Sequence, residues 1–174
     1  MQDSSKTELR ARLLAARAAR SPEQIAAARS AVRKQVLARF GGCRRVAAYR
    51  PLRTEPGSVE LLDELVQGGA TVLIPVLLAD RDLDWAVWPS GPSSGVDAIG
   101  GVEVALVPAL AVSRRGMRLG RGGGSYDRAL ARVPADVPVV ALLYDDEILP
   151  DLPADEWDRP VRAAITPSGW HSFE

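Results

Sequence analysis

Residues 45–78 read RVAAYRPLRTEPGSVELLDELVQGGATVLIPVLL, and the order of patterns in this segment indicates an α/β fold. Short apolar runs with β-branched residues, typical of buried strands, occupy residues 45–50 and 71–78. Between them, residues 58–67 carry apolar side chains in helical rhythm, and two glycines end that pattern. A strand, a helix and a strand in this order predict one unit of a parallel sheet.

Further strands are predicted at residues 84–88, 104–107, 137–143 and 163–166, with a short helix closing at residues 128–133. Strands that alternate with helices at this spacing indicate a three-layer, Rossmann-like α/β domain with a mostly parallel sheet. No internal repeat and no linker-like boundary interrupts the pattern, so we expect one domain over residues 1–174. Ligands of such sheets bind at the carboxyl ends of the strands, where we expect the site.

An N-terminal pair of helices is predicted ahead of the first strand. Residues 4–20 carry leucines one helical turn apart among charged side chains. Ser21 is suited to cap the second helix, Pro22 suits the first helical position, and Gln24 completes a capping box. The glycines that begin at Gly41 end this helix.

Composition excludes several classes of protein. Hydrophobic residues make up 47% of the chain and charged residues 25%, which is typical of a globular protein. With Cys43 as the only cysteine, neither an internal disulfide nor a cysteine-based zinc site is possible. His171 is the only histidine. The N-terminus lacks a signal-peptide pattern and no long apolar run occurs, so we expect a cytoplasmic protein without a membrane partner.

Charge is unevenly distributed along a chain whose net charge is zero. Residues 1–53 hold 13 basic and 3 acidic residues, whereas residues 54–174 hold 9 basic and 19 acidic residues. Such asymmetry is compatible with a nucleic-acid-binding arm. We favour a basic helical layer packed against an acidic body, because the basic residues alternate with Ala and Leu as in amphipathic helices.

Residues 116–128, GMRLGRGGGSYDR, carry the most informative pattern. We call residues 118–127 the glycine-arginine loop. Its glycines leave backbone N–H groups free to close on an anion, helped by the positive end of the helix that follows. Arg118 and Arg121 can add charge-assisted hydrogen bonds, and Asp127 can hold Mg²⁺ against phosphate oxygens. The loop lacks a P-loop motif, and a flexible surface turn is the alternative, but the pattern favours Mg-ATP binding.

The segment RLGRGGGSYDRAL, residues 118–130, resembles the motif of the 5-formyltetrahydrofolate cyclo-ligases, also called methenyltetrahydrofolate synthetases. Other features agree with that family in order along the chain, from Lys6 to Thr166. They are Lys6 and Arg10 on the first helix, Glu55 beyond the first strand, Pro153, and the acidic pair Glu156 and Asp158.

The resemblance implies ATP- and Mg²⁺-dependent closure of 5-formyltetrahydrofolate to 5,10-methenyltetrahydrofolate, with release of ADP and phosphate. The residues implied to contact ATP are Lys6, Arg10, Arg118, Gly120, Arg121, Gly122, Gly123, Gly124, Ser125 and Tyr126. Those implied to contact the folate are Arg50, Glu55, Arg121, Gly122, Gly123, Gly124 and Ser125. Arg121 and Tyr126 are expected to act in catalysis, and Asp127 and Asp158 to hold the metal. We expect a monomer whose partner is a reduced folate, with no nucleic acid bound.

Two positions depart from the family pattern. Ser125 stands where the family usually has a tyrosine, and Trp157 where it often has a histidine. Loss of the aromatic ring at Ser125 is expected to alter stacking on the pterin but not phosphate binding. Simpler roles are also open for single residues: Lys6 as a solvated helix charge, or Tyr126 as core packing.

Two other functions remain open from the residues alone. A phosphosugar isomerase on a similar scaffold would use the glycine-arginine loop to hold a substrate phosphate and would release no ADP. A nucleic-acid-binding module would use the basic residues 1–53, and its affinity would fall steeply with salt.

Overall fold

The computed structural model describes residues 2–173, with side chains from residue 4 onward. The helices are α1 (Gln2–Ala18), α2 (Pro22–Phe40), α3 (Val59–Gln67) and α4 (Ser125–Leu130). The strands are β1 (Arg45–Ala47), β2 (Thr71–Leu77), β3 (Leu83–Val87), β4 (Val104–Pro108), β5 (Ala111–Ser113), β6 (Arg118–Leu119), β7 (Val139–Leu142), β8 (Ile148–Leu149), β9 (Ala163–Thr166) and β10 (Gly169–Ser172). Short 3₁₀ helices occupy Val96–Gly101 and Asp145–Glu147. The first and last residues of the predicted domain, 1 and 174, lie outside the described range.

Within this range a seven-stranded sheet runs in the order β10-β9-β7-β4-β1-β2-β3. The five strands from β9 to β2 are parallel, and β3 and β10 pair antiparallel at the two edges. Val46 of β1 lies between Val72 of β2 and Val104 of β4. The predicted α/β fold with a mostly parallel sheet is therefore confirmed. A smaller sheet, β6-β5-β8, lies beside it.

Helices α2 and α3 begin at serine residues that cap them. The Ser21 hydroxyl accepts from the Gln24 N–H, and the Gln24 side chain accepts from the Ser21 N–H, which is the predicted capping box. At α3 the Ser58 hydroxyl accepts a hydrogen bond from the Leu61 N–H. These local contacts satisfy amide groups that a helix leaves free at its first turn.

Apolar side chains cover both faces of the large sheet, which gives the three layers. On one face α2 and α3 pack through residues that include Val36 and Leu62. On the other face α4 and the first 3₁₀ helix pack through residues that include Ile99 and Leu130. Alternation along the strands places Val46 on the first face and Ala47 on the second.

Both helices of the predicted N-terminal pair form, and they pack on different surfaces. Whereas α2 covers the large sheet, α1 places Leu13 against Leu110 and Leu119 beside the small sheet. The sequence pattern did not indicate this division, because β5, β6 and β8 are only two or three residues long. The position of α1 brings its polar face to the carboxyl ends of β1 and β4.

Ion pairs join the basic N-terminal third to the acidic remainder of the chain. They link Lys6 to Asp155 and Asp158, Arg17 to Glu147, Arg20 to Asp146, and Arg33 to Glu64. The basic helical layer therefore faces acidic partners of the same molecule. Separately, no helix among residues 2–173 has the length and apolarity that crossing a membrane requires.

Candidate functional site

A cavity of about 480 Å³ lies beyond the carboxyl ends of β1 and β4, among α1, the glycine-arginine loop and residues 155–158. Every site residue predicted from the sequence lines this cavity. They are Lys6, Arg10, Arg50, Glu55, Arg118, Gly120, Arg121, Gly122, Gly123, Gly124, Ser125, Tyr126, Asp127 and Asp158. The fold thus brings together groups that are more than a hundred residues apart in the chain.

The glycine-arginine loop leaves β6 and enters α4, a helix of 6 residues. Gly122 and Gly124 adopt φ values of 106° and 73°, a region that side-chain-bearing residues rarely occupy. A Cβ atom at Gly122 would also lie 3.3 Å from the Arg10 guanidinium carbon. The turn therefore favours glycine at both positions, and the approach of Arg10 from α1 favours it at Gly122 as well.

Arg118 is buried in the cavity wall, yet its hydrogen bonding is incomplete. Its Nη1 donates to the Pro108 carbonyl at 3.0 Å, whereas its Nε has no partner among the described residues. Its Nη2 lies 3.9 Å from Asp127, and its guanidinium carbon lies 5.4 Å from the Tyr126 ring centroid. Burial lowers the pKa of Arg118, and Asp127 only partly opposes this. The site thus holds a desolvated cation with donor capacity to spare.

Two further arginines differ in how firmly they are held. The Arg10 Nε donates to the Gly120 carbonyl at 2.9 Å, which ties α1 to the loop. Arg121 is exposed, and its guanidinium has no hydrogen-bond or ion-pair partner within the part of the chain that the structure describes. The first arginine therefore shapes the loop, and the second is free to meet a ligand.

Lys6 is buried on the first turns of α1 and joins it to residues 155–158. Its Nζ donates to Asp155 at 2.6 Å and to Asp158 at 3.1 Å. Burial lowers the pKa of Lys6, but hydrogen bonds to both carboxylates outweigh this effect and raise the pKa overall. Lys6 is therefore charged and paired, rather than a solvated helix charge.

Asp127 and Asp158, the predicted metal ligands, lie on neighbouring parts of the cavity wall. The Asp127 Oδ1 accepts from the Arg159 N–H at 3.2 Å, and the Asp158 Oδ2 accepts from the Asp155 N–H at 2.8 Å. Among the described residues, no three or more His, Cys, Asp or Glu side chains cluster as a metal site. Two carboxylates suit Mg²⁺ that takes its remaining ligands from water and phosphates.

The segment after β1 adds Arg50 and Glu55 to the cavity wall. Glu55 is 4% exposed, and its Oε1 accepts from the Leu52 N–H at 2.8 Å, so the carboxylate holds its own turn. Arg29 supports this turn from α2 by donating to the carbonyl of Glu55. The Arg50 guanidinium carbon lies 5.6 Å from the Trp88 ring centroid.

Sequence reasoning missed several residues of the cavity wall, among them Arg17 and Tyr49. Arg17 makes two hydrogen bonds to the Glu147 carboxylate, at 2.8 and 2.9 Å, and one to the Ala109 carbonyl at 2.7 Å. Its spacing from Leu13 places it on the buried face of α1, which was a usable signal. Tyr49 lies two residues beyond the carboxyl end of β1, the region where ligands of parallel sheets bind.

Comparison of the sequence with known proteins gives one consistent result. The sequence model of the 5-formyltetrahydrofolate cyclo-ligase family matches residues 2–167. The 5-formyltetrahydrofolate cyclo-ligase of Mycolicibacterium smegmatis is 41% identical over 143 residues, which cover 71% of this chain and 74% of that protein.

Comparison of the structure agrees. A 5,10-methenyltetrahydrofolate synthetase from Mycoplasma pneumoniae superposes with a TM-score of 0.82 at 21% identity, covering 93% of this chain and 98% of that one. The synthetase of Aquifex aeolicus superposes with a TM-score of 0.79 at 25% identity, covering 97% and 93%. The first likeness supports the fold alone, because its sequence identity is low.

Proposed function

The chain belongs to the 5-formyltetrahydrofolate cyclo-ligase family, and on that premise we propose that it closes 5-formyltetrahydrofolate to 5,10-methenyltetrahydrofolate in the cavity described above. ATP is the second substrate and is converted to ADP and phosphate. The chain is thus a ligase of folate metabolism. ATP use, magnesium and the residue roles given below are our proposal.

The observation that carries the proposal is the set of cationic donors on the cavity wall that have no partner among the described residues. Arg118 is buried with a free Nε, and Arg121 lacks any partner among the described residues. Both belong to the glycine-arginine loop, whose backbone N–H groups can approach an anion closely. Each charge-assisted hydrogen bond to a phosphate oxygen contributes roughly 1.5–3 kcal/mol, so this wall suits a triphosphate.

Asp127 and Asp158 fit a magnesium ion that arrives with the nucleotide. They are hard oxygen ligands, and protein sites for Mg²⁺ commonly use one or two carboxylates plus substrate phosphates. When bound, the ion would offset phosphate charge during transfer. Asp158 is paired with Lys6, so Lys6 is placed to exchange part of this pairing for a phosphate oxygen.

The proposed reaction has two bond-forming steps. The formyl oxygen forms a bond to the γ-phosphorus of ATP, and the bond from that phosphorus to the leaving ADP oxygen breaks. The neighbouring ring-external nitrogen then attacks the activated formyl carbon and loses its proton, and phosphate leaves with the former formyl oxygen. The first step needs no strong base, because an amide oxygen carries no proton.

Positioning and charge stabilisation are therefore the main tasks of the protein. We assign Arg121 to the charge that develops on the transferred phosphoryl group. We assign Tyr126, whose ring centroid lies 5.4 Å from the Arg118 guanidinium carbon, to the region where the two substrates meet. Arg50 and Glu55 form the wall that we assign to the folate, with Glu55 fixing the turn from within.

The direct test mixes purified protein with 5-formyltetrahydrofolate and Mg-ATP while the methenyl absorbance band and ADP are followed together. Equal amounts of the two products, formed only with ATP present, are expected. If ATP binds but neither product forms, the folate reaction is excluded and another nucleotide-dependent reaction must be sought. Product formation without ADP would contradict the role of ATP.

Two variants test the site assignment. Arg121→Ala is expected to lower turnover on the order of 10²-fold, because it removes charge stabilisation of the transferred group. Asp127→Asn is expected to raise the Mg²⁺ concentration needed for half-maximal rate and to leave the fold intact. Arg114→Ala and Asp136→Asn are matched controls, since both residues are exposed and lie outside the cavity. Near-normal turnover of Arg121→Ala and Asp127→Asn would contradict the assignment.

A further inference from the structure

Buried polar atoms without partners concentrate at the cavity. Among the described side chains, these atoms are Arg20 Nε, Tyr49 Oη, Trp85 Nε1, Arg118 Nε and Tyr126 Oη. Tyr49, Arg118 and Tyr126 all line the cavity. A buried donor without a partner costs free energy of folding. Several such donors around one cavity indicate a ligand that completes their hydrogen bonds.

Of these three cavity residues, Tyr49 is the one that lies outside the glycine-arginine loop. It is 7% exposed and lies two residues beyond the end of β1, next to Arg50. Burial raises the pKa of the Tyr49 hydroxyl well above its ordinary value, and the nearby Glu55 carboxylate acts in the same direction. The hydroxyl therefore remains protonated at ordinary pH and can donate a hydrogen bond.

The turn after β1 leaves space for the Tyr49 hydroxyl at one glycine. A Cβ atom at Gly57 would lie 3.3 Å from the Tyr49 Oη, closer than an ordinary van der Waals contact. Without the hydroxyl, the nearest atoms would be the Tyr49 Cζ at 3.6 Å and Leu142 Cδ1 at 3.7 Å, which are comfortable distances. The lack of a side chain at Gly57 thus leaves space for the Tyr49 hydroxyl oxygen, whereas the ring alone would not need it.

We propose that the Tyr49 hydroxyl donates a hydrogen bond to an acceptor oxygen of the bound folate, so that Tyr49 determines affinity for that substrate. The assignment to the folate rests on the proposed function. It follows from position: Tyr49, Arg50 and Glu55 belong to the segment after β1, whereas the groups suited to phosphate lie on α1 and the glycine-arginine loop.

Tyr49→Phe tests the proposal, because it removes the oxygen and keeps the ring. The KM for 5-formyltetrahydrofolate is expected to rise on the order of 10-fold, as is the Kd of the same folate titrated calorimetrically without ATP. The KM for ATP is expected to stay within about 2-fold of the wild-type value. An unchanged folate KM and Kd, or a rise in the KM for ATP instead, would overturn the proposal.

Thermal stability separates recognition from a structural role. Tyr49→Phe is expected not to lower the melting temperature, because the lost hydroxyl has no partner within the described structure. Tyr144→Phe is the comparison, since the Tyr144 hydroxyl donates to the Thr54 carbonyl at 2.7 Å and its loss should destabilise the fold. A melting temperature lowered equally in both variants would favour a structural role for Tyr49.

A double-mutant cycle with Gly57→Ala tests whether the position of the oxygen matters. Gly57→Ala should raise the folate KM several-fold in the wild type, because the new methyl group displaces the hydroxyl. In the Tyr49→Phe background the same change should have little further effect. Additive effects would contradict the proposal.

The outcome for the wild type separates failure of this inference from failure of the proposed function. If the wild type forms no methenyl product, the proposed function fails. If the wild type forms the product and Tyr49→Phe has the same folate KM and Kd, only this inference fails.

Discussion

Two buried arginines, Arg17 and Arg118, line the same cavity and donate to neighbouring carbonyl groups at the end of β4. They differ in how completely their other N–H groups are hydrogen-bonded. Arg17 donates to the Ala109 carbonyl and to both oxygens of Glu147. Arg118 donates to the Pro108 carbonyl and keeps an Nε without a partner among the described residues. Burial lowers the pKa of both; for Arg17 the Glu147 carboxylate reverses the effect, whereas Asp127 does not do so for Arg118.

The difference shows that burial of a charge does not by itself identify its task. A buried cation whose hydrogen bonds are complete within the chain supports the fold. A buried cation with an unused donor is held ready for an anion from outside. By this criterion α1 and Glu147 form a rigid support, and the glycine-arginine loop forms the binding surface.

The largest expected effect is on stability, from Arg17→Met. This change leaves the Glu147 carboxylate buried without its partner, so we expect the free energy of unfolding to fall by about 3–5 kcal/mol. Urea denaturation measures it. Combining Arg17→Met with Glu147→Gln should recover part of the loss, because the amide is neutral and keeps an acceptor for the Tyr144 N–H. A loss below about 1 kcal/mol for Arg17→Met would remove the distinction between the two arginines.

The complementary change, Arg118→Met, is expected to act on turnover. Methenyl formation should fall on the order of 10²-fold, because a preorganised cation at the phosphates is lost. The free energy of unfolding should change by less than about 1 kcal/mol, because the guanidinium is only partly satisfied within the chain. Arg114→Met, on the same hairpin but exposed, is the control. Destabilisation as large as that of Arg17→Met would show that Arg118 is also structural.

Lys6 lies between these extremes, since it is paired in the structure with carboxylates that we assign partly to the metal. Lys6→Met should raise the KM for ATP several-fold and lower the free energy of unfolding by about 1–3 kcal/mol, because Asp155 and Asp158 lose a buried hydrogen-bond donor but keep some exposure to water. Steady-state kinetics and urea denaturation measure both quantities. The other lysine, Lys34, is exposed on α2, and Lys34→Met should change neither. Unchanged kinetics for Lys6→Met would make Lys6 a purely structural residue like Arg17.

The smallest expected effect concerns an ion pair outside the cavity. Arg132 donates two hydrogen bonds of 2.7 Å to Asp82 and, with the Leu83 N–H, lowers the pKa of that carboxyl from 3.8 to about 2. A lowered pKa in the folded state stabilises it above about pH 4, and this contribution is lost as the pH falls towards 2. Asp82→Asn should therefore lower the melting temperature slightly at pH 6 and less at pH 2.5. An equal difference at both pH values would contradict the pairing.

Sequence reasoning was most successful where the cause of structure is local. The capping box at Ser21 and the apolar strands around Val46 and Val72 depend on neighbours in the chain, and they form as predicted. The residues that the family motif indicated all line one cavity. Their roles stay predictions until the variants above are measured.

Other features had no local signal. Strands β5, β6 and β8 are too short for a period to be visible, so the small sheet that supports α1 was not predicted. The first predicted strand ends at Ala47 rather than at residue 50, because the chain leaves the sheet there to form the cavity wall. Contacts between distant segments also decide which side-chain nitrogen and oxygen atoms have hydrogen-bond partners.

By itself the sequence determined the α/β fold, and its motif indicated the family and the residues that line the cavity, because hydrophobic periodicity, capping and motifs are properties of consecutive residues. Tertiary structure decided which of the charged and hydroxyl groups are already satisfied. Arg17 and Arg118 look alike in a sequence, and only packing supplies Glu147 to one and leaves the other incomplete. A hydrogen bond depends on distance and direction in space, and those are fixed only when remote segments meet.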